Sequence, residues 1–153
     1  MAKLDLSQVA LKTGSTYPAP YAAEMGDRGW LPVGEVGGLT QFGVNIVVMQ
    51  PGSKSSLRHW HSHEDEFLMM LSGELVLVDD GGEQVLAPGE CAGYAAGDKN
   101  AHHLINRSAS EAKVLVAGWR DRADICTYPD VDMSVRLDGN QNRFTRGDGT
   151  EVI

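Results

Sequence analysis

The sequence predicts an all-β protein, an antiparallel barrel or jelly roll. Short runs rich in β-branched and aromatic residues recur along the chain, and turn-forming residues separate them. The 18 glycines and six prolines are spread over all 153 residues instead of being concentrated in a linker. No long segment keeps the 3.6-residue apolar period of a helix, and the best helical candidate, residues 21–26, is short.

The chain divides into three parts in this prediction. Residues 1–39 form an irregular N-terminal arm, residues 40–119 the barrel, and residues 120–153 a polar C-terminal tail that packs on the barrel or on a neighbouring subunit. The length suits one domain of about 150 residues. The predicted barrel strands are residues 42–50, 66–71, 74–78, 83–86, 90–94, 102–106 and 113–119.

Turn signals connect these strands. Pro51-Gly52, Ser72-Gly73 and Pro88-Gly89 each end one run before the next begins. Residues 74–78 and 83–86, joined by the turn at 79–82, form a predicted hairpin. In the tail, turns are expected at Asp138-Gly139 and around Gly147, with a strand near residues 135–137.

Composition and charge exclude several classes of function. Acidic residues outnumber basic ones by 21 to 13, giving a formal charge of −8. Such a field repels phosphate backbones, so no nucleic-acid partner is expected. The longest unbroken apolar run has five residues, against about 20 for a membrane helix, so no membrane association is expected.

The cysteines and the first residues indicate a cellular compartment. Cys91 and Cys126 lack the close spacing of a zinc or redox motif, and they are predicted to be free thiols. The opening residues show no apolar region typical of a secretory signal. Because free thiols persist in a reducing environment, we expect a cytoplasmic protein.

Titratable side chains concentrate in residues 58–66, which hold three of the five histidines followed by three carboxylates. Side chains alternate along an extended strand, so His59 and His61 should point the same way, and His63 with them if the strand continues. Two imidazoles on an interior face would reach one cation, and an acid such as Glu66 at the start of a buried strand needs a positive partner. A solvated turn explains this segment alone equally well.

The remaining histidines, His102 and His103, lie in the predicted strand 102–106. Positions 102, 104 and 106 share one face of that strand, and 103 and 105 share the other. Only one of the adjacent histidines can therefore face inward, and Leu104 as a neighbour on the same face favours His102. Taken alone, His102 is better explained as an ordinary interior or surface histidine than as a ligand.

Taken together, the two segments resemble the cupin superfamily of small metal-binding β-barrels. The first cupin signature is a glycine, His-x-His, a glutamate and a glycine at set intervals, and the second is a glycine, Pro-x-Gly, a histidine and an asparagine. In this chain they correspond to Gly52, His59, His61, Glu66 and Gly73, and then to Gly89, Gly97, His102 and Asn106. Two departures occur: the first interval is one residue longer than usual, and Ala95 replaces the proline.

The resemblance covers about residues 34–119 and implies a double-stranded β-helix with a metal site. It selects His59, His61, Glu66 and His102 as ligands. It leaves His63 and His103 outside the set. Three imidazoles and one carboxylate suit a divalent Zn, Mn, Fe, Ni or Co ion, with positions left for water or substrate. We also expect a small-molecule ligand and a homodimer.

Function beyond the metal is implied only by analogy. The chain resembles small bacterial cupins described as sugar-phosphate isomerases, which implies an isomerase or lyase acting on a hydroxy-carbonyl or sugar-phosphate-like metabolite by Lewis-acid chelation and proton transfer. Fold does not fix chemistry, so two alternatives stay open: a non-catalytic sensor or carrier, and an Fe-dependent dioxygenase.

Several other residues are assigned roles for testing. His63 is the leading candidate proton carrier because imidazole titrates near neutrality. Tyr94 could donate a proton in the pocket, although packing at the barrel mouth is the commoner role of such a residue. Glu64 and Asp65 are expected to be exposed loop acids, with a general-base role for either as the minority interpretation. Arg58 and Lys99 could meet an anionic substrate, with a solvated surface position as the simpler interpretation.

Overall fold

A computed structural model describes residues 3–138 and 141–153 of the protein, and the regular secondary structure of these residues is mainly β. Antiparallel pairing joins the strands into three sheets. In chain order the strands are β1 (Lys12–Thr13), β2 (Arg28–Leu31), β3 (Phe42–Met49), β4 (Trp60–His61), β5 (Glu66–Ser72), β6 (Leu75–Asp79), β7 (Gly82–Leu86), β8 (Cys91–Tyr94), β9 (His103–Ile105), β10 (Ala112–Trp119), β11 (Ile125–Tyr128), β12 (Met133–Asp138) and β13 (Gln141–Thr145). The predicted antiparallel jelly-roll class is confirmed.

The sheets differ in size and in the part of the chain that supplies them. The largest has the order β1-β2-β3-β10-β5-β8, the second β13-β12-β11-β4 and the third β7-β6-β9. Each of the seven predicted barrel strands is present, with ends that agree to within one residue. The predicted hairpin is β6 and β7. The short helical candidate is a 3-10 helix at Tyr21–Met25, and the one α-helical turn among the described residues is α1 (Val33–Val36).

The barrel core lies between the six-stranded and the three-stranded sheets. Residues directly opposite each other in an antiparallel pair share a face, so Val114 of β10, paired with Met70 of β5, points inward with it. Leu75 and Leu104 close the core from the smaller sheet, and all four side chains are almost completely buried. Each such buried side chain contributes about 1.5–3 kcal/mol to folding.

The N-terminal arm is irregular for most of its length, but it adds two strands to the large sheet. β2 pairs with β3, and β1 pairs with β2. The sequence Arg28–Leu31 contains a glycine and does not alternate cleanly, so its strand character comes from the neighbouring strand. The structure also explains that glycine, because a Cβ on Gly29 would lie 2.7 Å from the carbonyl oxygen of Lys12.

The C-terminal tail forms most of the second sheet. The strand expected near residues 135–137 is part of β12, while the predicted turn at Asp138-Gly139 includes Gly139, which lies outside the described residues. β11 pairs with β4, and this joins the tail to the histidine segment of the barrel. A second hydrophobic cluster, which includes Met25, Tyr128 and Phe144, packs the arm against the tail. No helix within residues 3–138 and 141–153 has the length and apolar character needed to cross a membrane.

Candidate metal centre

Three of the predicted ligands, His59, Glu66 and His102, lie together inside the barrel. One donor atom of each lies within 4.8 Å of the donor atoms of the other two. The Nε2 of His102 is 2.7 Å from the Oε2 of Glu66, and the Nε2 of His59 is 3.7 Å from the same oxygen. Side chains that are far apart in the sequence therefore form one compact group.

The backbone fixes the positions of these three side chains. Glu66 is the first residue of β5, where it pairs with Gly118 of β10 on one side and with Tyr94 of β8 on the other. His59 and His102 form an isolated antiparallel bridge with backbone hydrogen bonds in both directions, 3.1 and 2.8 Å long. The bridge holds the centroids of the two imidazole rings 4.9 Å apart.

The fourth predicted ligand, His61, lies beside this group but is not part of it. Its ring stands perpendicular to that of His59, with 5.0 Å between the centroids. Its Nδ1 donates a hydrogen bond to the Oδ2 of Asp124 at 2.7 Å. His61 also has Glu64 and the thiol of Cys126 as close neighbours among possible metal-ligating groups. The structure thus places all four predicted ligands in one region and three of them in direct proximity.

The donor chemistry of the four side chains fits a divalent transition metal. The carbonyl oxygen of Leu57 accepts a hydrogen bond from the Nδ1 of His59 at 2.9 Å, and Asp124 does the same for His61. With Nδ1 as the donor, the neutral form of each ring carries its lone pair on Nε2, which is the arrangement typical of metal-ligating histidines. The Nδ1 of His102 is buried without a hydrogen-bond partner among the described residues. Buried polar atoms without a partner are rare in folded proteins, and a bound ion or water is one explanation for them.

The electrostatics of the group favour a cation. Burial alone would raise the pKa of Glu66, but hydrogen bonds and charge from His102 and His59 outweigh it and hold the pKa below its usual range. Burial alone would lower the pKa of His59, and the Glu66 carboxylate reverses that effect and raises it. At neutral pH the centre therefore contains an ionised, largely buried carboxylate.

Asp124 is a functional candidate that the sequence analysis missed. In addition to holding His61, its second carboxylate oxygen accepts hydrogen bonds from the backbone N–H of His63 at 2.8 Å and from the hydroxyl of Ser62 at 3.2 Å. Burial would raise the pKa of Asp124, but its hydrogen bonds to these groups lower it. No spacing in the sequence relates Asp124 to the histidines, because the pairing of β11 with β4 brings them together.

Replacing Asp124 with alanine should weaken divalent-metal binding about ten- to a hundredfold. His61 would lose the acceptor that fixes its ring and its tautomer. Competition with a chromogenic chelator measures the affinity. Asp121→Ala is the matched control, since Asp121 lies in the same loop and its side chain accepts only the backbone N–H of Ala123 among the described residues. Equal metal affinity in the two variants would show that Asp124 has no role in the centre.

Two cavities meet at Glu66 and Val116, which line both of them. The outer cavity, of about 180 Å³, is mostly polar and opens toward solvent, and its other lining residues include Asn45, His61, Glu64, Trp119 and Arg120. The inner cavity, of about 210 Å³, is mostly apolar, and its other lining residues include Val47, His59, Leu68, His102 and Leu104. The candidate ligands thus lie between a polar entrance and an apolar interior.

The two predicted proton carriers occupy different environments. His63 is exposed, its Nδ1 is 2.7 Å from the hydroxyl of Ser62, and it lines neither cavity. Tyr94 is buried and stacks flat on the ring of His102, with 3.5 Å between the centroids and 3° between the planes. Its hydroxyl donates to Asp79 at 3.2 Å, and burial followed by the Asp79 charge raises its pKa. A catalytic role for either residue stays a prediction.

The expectation that Glu64 is an exposed loop acid is wrong. Its side chain is only 25% exposed, lines the outer cavity and accepts a hydrogen bond from the backbone N–H of Asp121 at 2.8 Å. The sequence did not indicate the burial of Glu64, because its partner Asp121 lies in the segment after β10, far from Glu64 in the sequence. Burial raises the pKa of Glu64.

The two cysteines are free, as predicted, and they differ sharply in exposure. Burial raises the pKa of the Cys126 thiol, which lies next to His59 and His61, while Cys91 is exposed on β8. Because the thiolate is the reactive form, the exposed Cys91 should react rapidly with a disulfide reagent at pH 8, and the buried Cys126 should react only after unfolding. Cys91→Ser should remove the rapid phase, and a rapid phase that survives this change would contradict the burial of Cys126.

Comparisons with known proteins agree with this architecture. The family model for the cupin domain matches residues 45–118. A crystal structure of a cupin superfamily sugar phosphate isomerase from Silicibacter pomeroyi is 47% identical to this chain, with a TM-score of 0.95 over 99% of this chain and 97% of the other. A polyketide cyclase from Streptomyces resistomycificus shares the fold at 20% identity, with a TM-score of 0.63 over 80% and 82% of the two chains.

The comparison with curated proteins found no match. The identity to the Silicibacter pomeroyi protein extends over nearly the whole length of both chains, and the four predicted ligand residues all lie inside the matched cupin domain. On these grounds the chain belongs to the cupin superfamily.

Proposed function

We propose that this chain is a metal-dependent isomerase or lyase that acts on a small hydroxy-carbonyl or sugar-phosphate-like compound. The observation that carries the proposal is the position of the imidazole and carboxylate group between a polar entrance and an apolar interior. Such a site can be reached by a small molecule and can be shielded from water. The 47% identity to a protein described as a sugar phosphate isomerase supports the substrate class.

In this proposal His59, His61, Glu66 and His102 hold a divalent Zn, Mn, Fe, Ni or Co ion. The ion would supply Lewis acidity, which lowers the cost of negative charge on a chelated carbonyl oxygen. The chain's own residues provide the rest. Asp124 and the carbonyl oxygen of Leu57 orient two of the imidazoles, and the Glu66 carboxylate offsets part of the metal charge.

Aldose–ketose interconversion also needs a group that moves a proton between neighbouring carbons. His63 and Tyr94 are proposed for this step. Tyr94 is fixed against the His102 ring, and its hydroxyl would have to leave Asp79 to reach a substrate. His63 lies on the exposed segment that precedes β5. His63→Ala and Tyr94→Phe should each lower turnover while leaving metal content unchanged.

The test is a matrix of metals and substrates. Metal-free protein is reloaded with each of the five ions and incubated with phosphorylated and unphosphorylated aldoses, and the interconversion is followed by NMR. Turnover that depends on the metal and is absent after chelation supports the proposal. Tight calorimetric binding of these compounds without turnover would favour a sensor or carrier, and oxygen consumption with Fe alone would favour a dioxygenase.

We further propose that the chain is a homodimer that acts in the cytoplasm. The outer face of the large sheet supports the dimer, because Phe42, Phe67, Leu71 and Trp119 are each at least 40% exposed on adjacent strands. Contiguous apolar patches of this kind usually mark interaction sites. Light scattering should give twice the chain mass, and Phe67→Glu should give the monomer. A monomeric native protein would refute this interpretation of the face.

A further inference from the structure

Arg120 lies at the outer cavity, and among the described residues its charge acts on Glu35, whose carboxylate is hydrogen-bonded to Lys12, but its guanidinium has no directly bonded partner. It lines that cavity together with Asn45, His61, Glu64 and Glu66. No hydrogen bond or ion pair connects its guanidinium to any residue of 3–138 and 141–153. A guanidinium presents five N–H donors in a planar fork that matches carboxylate and phosphate groups. These donors are available to a bound molecule.

The backbone places Arg120 two residues beyond the level of the candidate metal centre. β10 pairs Gly118 with Glu66, and the backbone N–H of Trp119 still donates to the carbonyl oxygen of Asp65 at 3.1 Å. Arg120 follows directly, two residues after Gly118. Two residues of extended chain span roughly 7 Å, so the arginine lies about that distance along the strand from the level of Glu66. A small molecule can bridge such a gap.

Two glycines leave room for this arrangement. Gly43 of β3 and Gly118 of β10 are directly paired, and both line the outer cavity. A Cβ on Gly43 would lie 3.0 Å from the Nε of Arg120, so the guanidinium packs on the bare backbone at this position. The missing side chains keep the space between Arg120 and Glu66 open to a ligand.

The other basic residues considered for an anionic substrate are already engaged. Arg58 binds Asp80 and Asp130, and these carboxylates raise its pKa. The ammonium group of Lys99 lies over a tryptophan ring, 5.9 Å from the ring centroid. Among the described residues that line the outer and inner cavities, Arg120 is the one lysine or arginine.

We infer that Arg120 binds the anionic group of the substrate, a phosphate or a carboxylate, while oxygen atoms at the other end of the same molecule reach the metal ligands. The inference rests on the proposed function and narrows it. The substrate would be a hydroxy-carbonyl compound with a short carbon chain and a terminal anion. Neutral sugars would lack the group that Arg120 recognises.

The test compares three ligands of similar shape by calorimetry on Mn²⁺-loaded protein: ribose 5-phosphate, ribonate and ribose. The native protein should bind at least one anionic compound about tenfold or more tighter than ribose. Because a charged hydrogen-bonded pair is involved, Arg120→Gln should weaken that binding about ten- to a hundredfold. Arg120→Lys should retain part of the preference, and the identity of the preferred anion separates a phosphate from a carboxylate substrate.

The matched control is Arg122→Gln, which removes the same charge from an exposed arginine that lines neither cavity. It should bind the anions as the native protein does. An equal loss in the two glutamine variants, no loss in Arg120→Gln, or a native protein that prefers no anion would overturn the inference. Mn²⁺ binding alone is measured in the same samples. A native protein that binds no metal refutes the proposed function, whereas normal metal binding without anion preference refutes only the role of Arg120.

Discussion

Replacing His102 with alanine should weaken divalent-metal binding by more than about a hundredfold, beyond the effect expected for residues that only orient a ligand. His102 is 2% exposed, and its Nε2 lies against the Glu66 carboxylate at 2.7 Å. Its loss would remove one of the donor atoms that converge on the centre. Metal content after dialysis, measured by plasma mass spectrometry, should fall from about one ion per chain to near zero.

The neighbouring histidine provides the control. His103 also lines the inner cavity, but its Nδ1 donates to the carbonyl oxygen of Ser56 at 3.0 Å, and it belongs to none of the possible ligand groups among the described residues. His103→Ala changes the same residue type one position away and should leave the metal content unchanged. If His103→Ala loses the ion and His102→Ala keeps it, the assignment of His102 is wrong. Circular dichroism of both variants separates loss of metal from loss of fold.

Replacing Gly73 with alanine should cost about 3 kcal/mol of the free energy of unfolding, a large part of the stability of a small domain. Gly73 has φ +74, a left-handed conformation that costs other residues roughly 1–2 kcal/mol. An added Cβ would also lie 2.7 Å from the carbonyl oxygen of Glu111 and 2.8 Å from the Cα of Ala112. Overpacking of that kind adds about 1–3 kcal/mol.

Gly89→Ala separates the conformational cost from the cost of overpacking. Gly89 has φ +90, but a Cβ there would meet no atom within 4 Å. This variant should therefore show only the conformational cost, and urea unfolding should place it between the native protein and Gly73→Ala. Equal free energies of unfolding for the two variants would show that the close approach at Gly73 does not matter.

The strands of the barrel could be predicted because their signals are local. Alternating apolar residues and turn residues such as those at Ser72-Gly73 determine where each strand begins and ends, independently of the rest of the chain. The choice between His102 and His103 also followed from alternation, since Leu104 shares a face with His102. His102 and Leu104 are both almost fully buried, which agrees with a shared inward face.

The residues that surround the ligands could not be predicted in this way. Asp124 and Arg120 lie in the chain after the barrel, and Glu64 becomes half-buried only because Asp121 folds over it. The position of Asp124 depends on the pairing of β11 with β4, and that of Arg120 on the pairing of β10 with β5, and neither pairing has a signature in the local sequence. The sequence did not predict the strand β2 for a similar reason, since its strand conformation depends on pairing with β3.

We propose that one metal ion is held by His59, His61, Glu66 and His102. Anomalous diffraction at the absorption edge of the bound metal, in crystals of the purified protein, tests it most directly. We expect a single strong peak about 2.1 Å from the Nε2 atoms of the three histidines and next to a carboxylate oxygen of Glu66. A peak centred instead on His61, Glu64 and Asp124, or no peak from protein loaded with the metal, would contradict it.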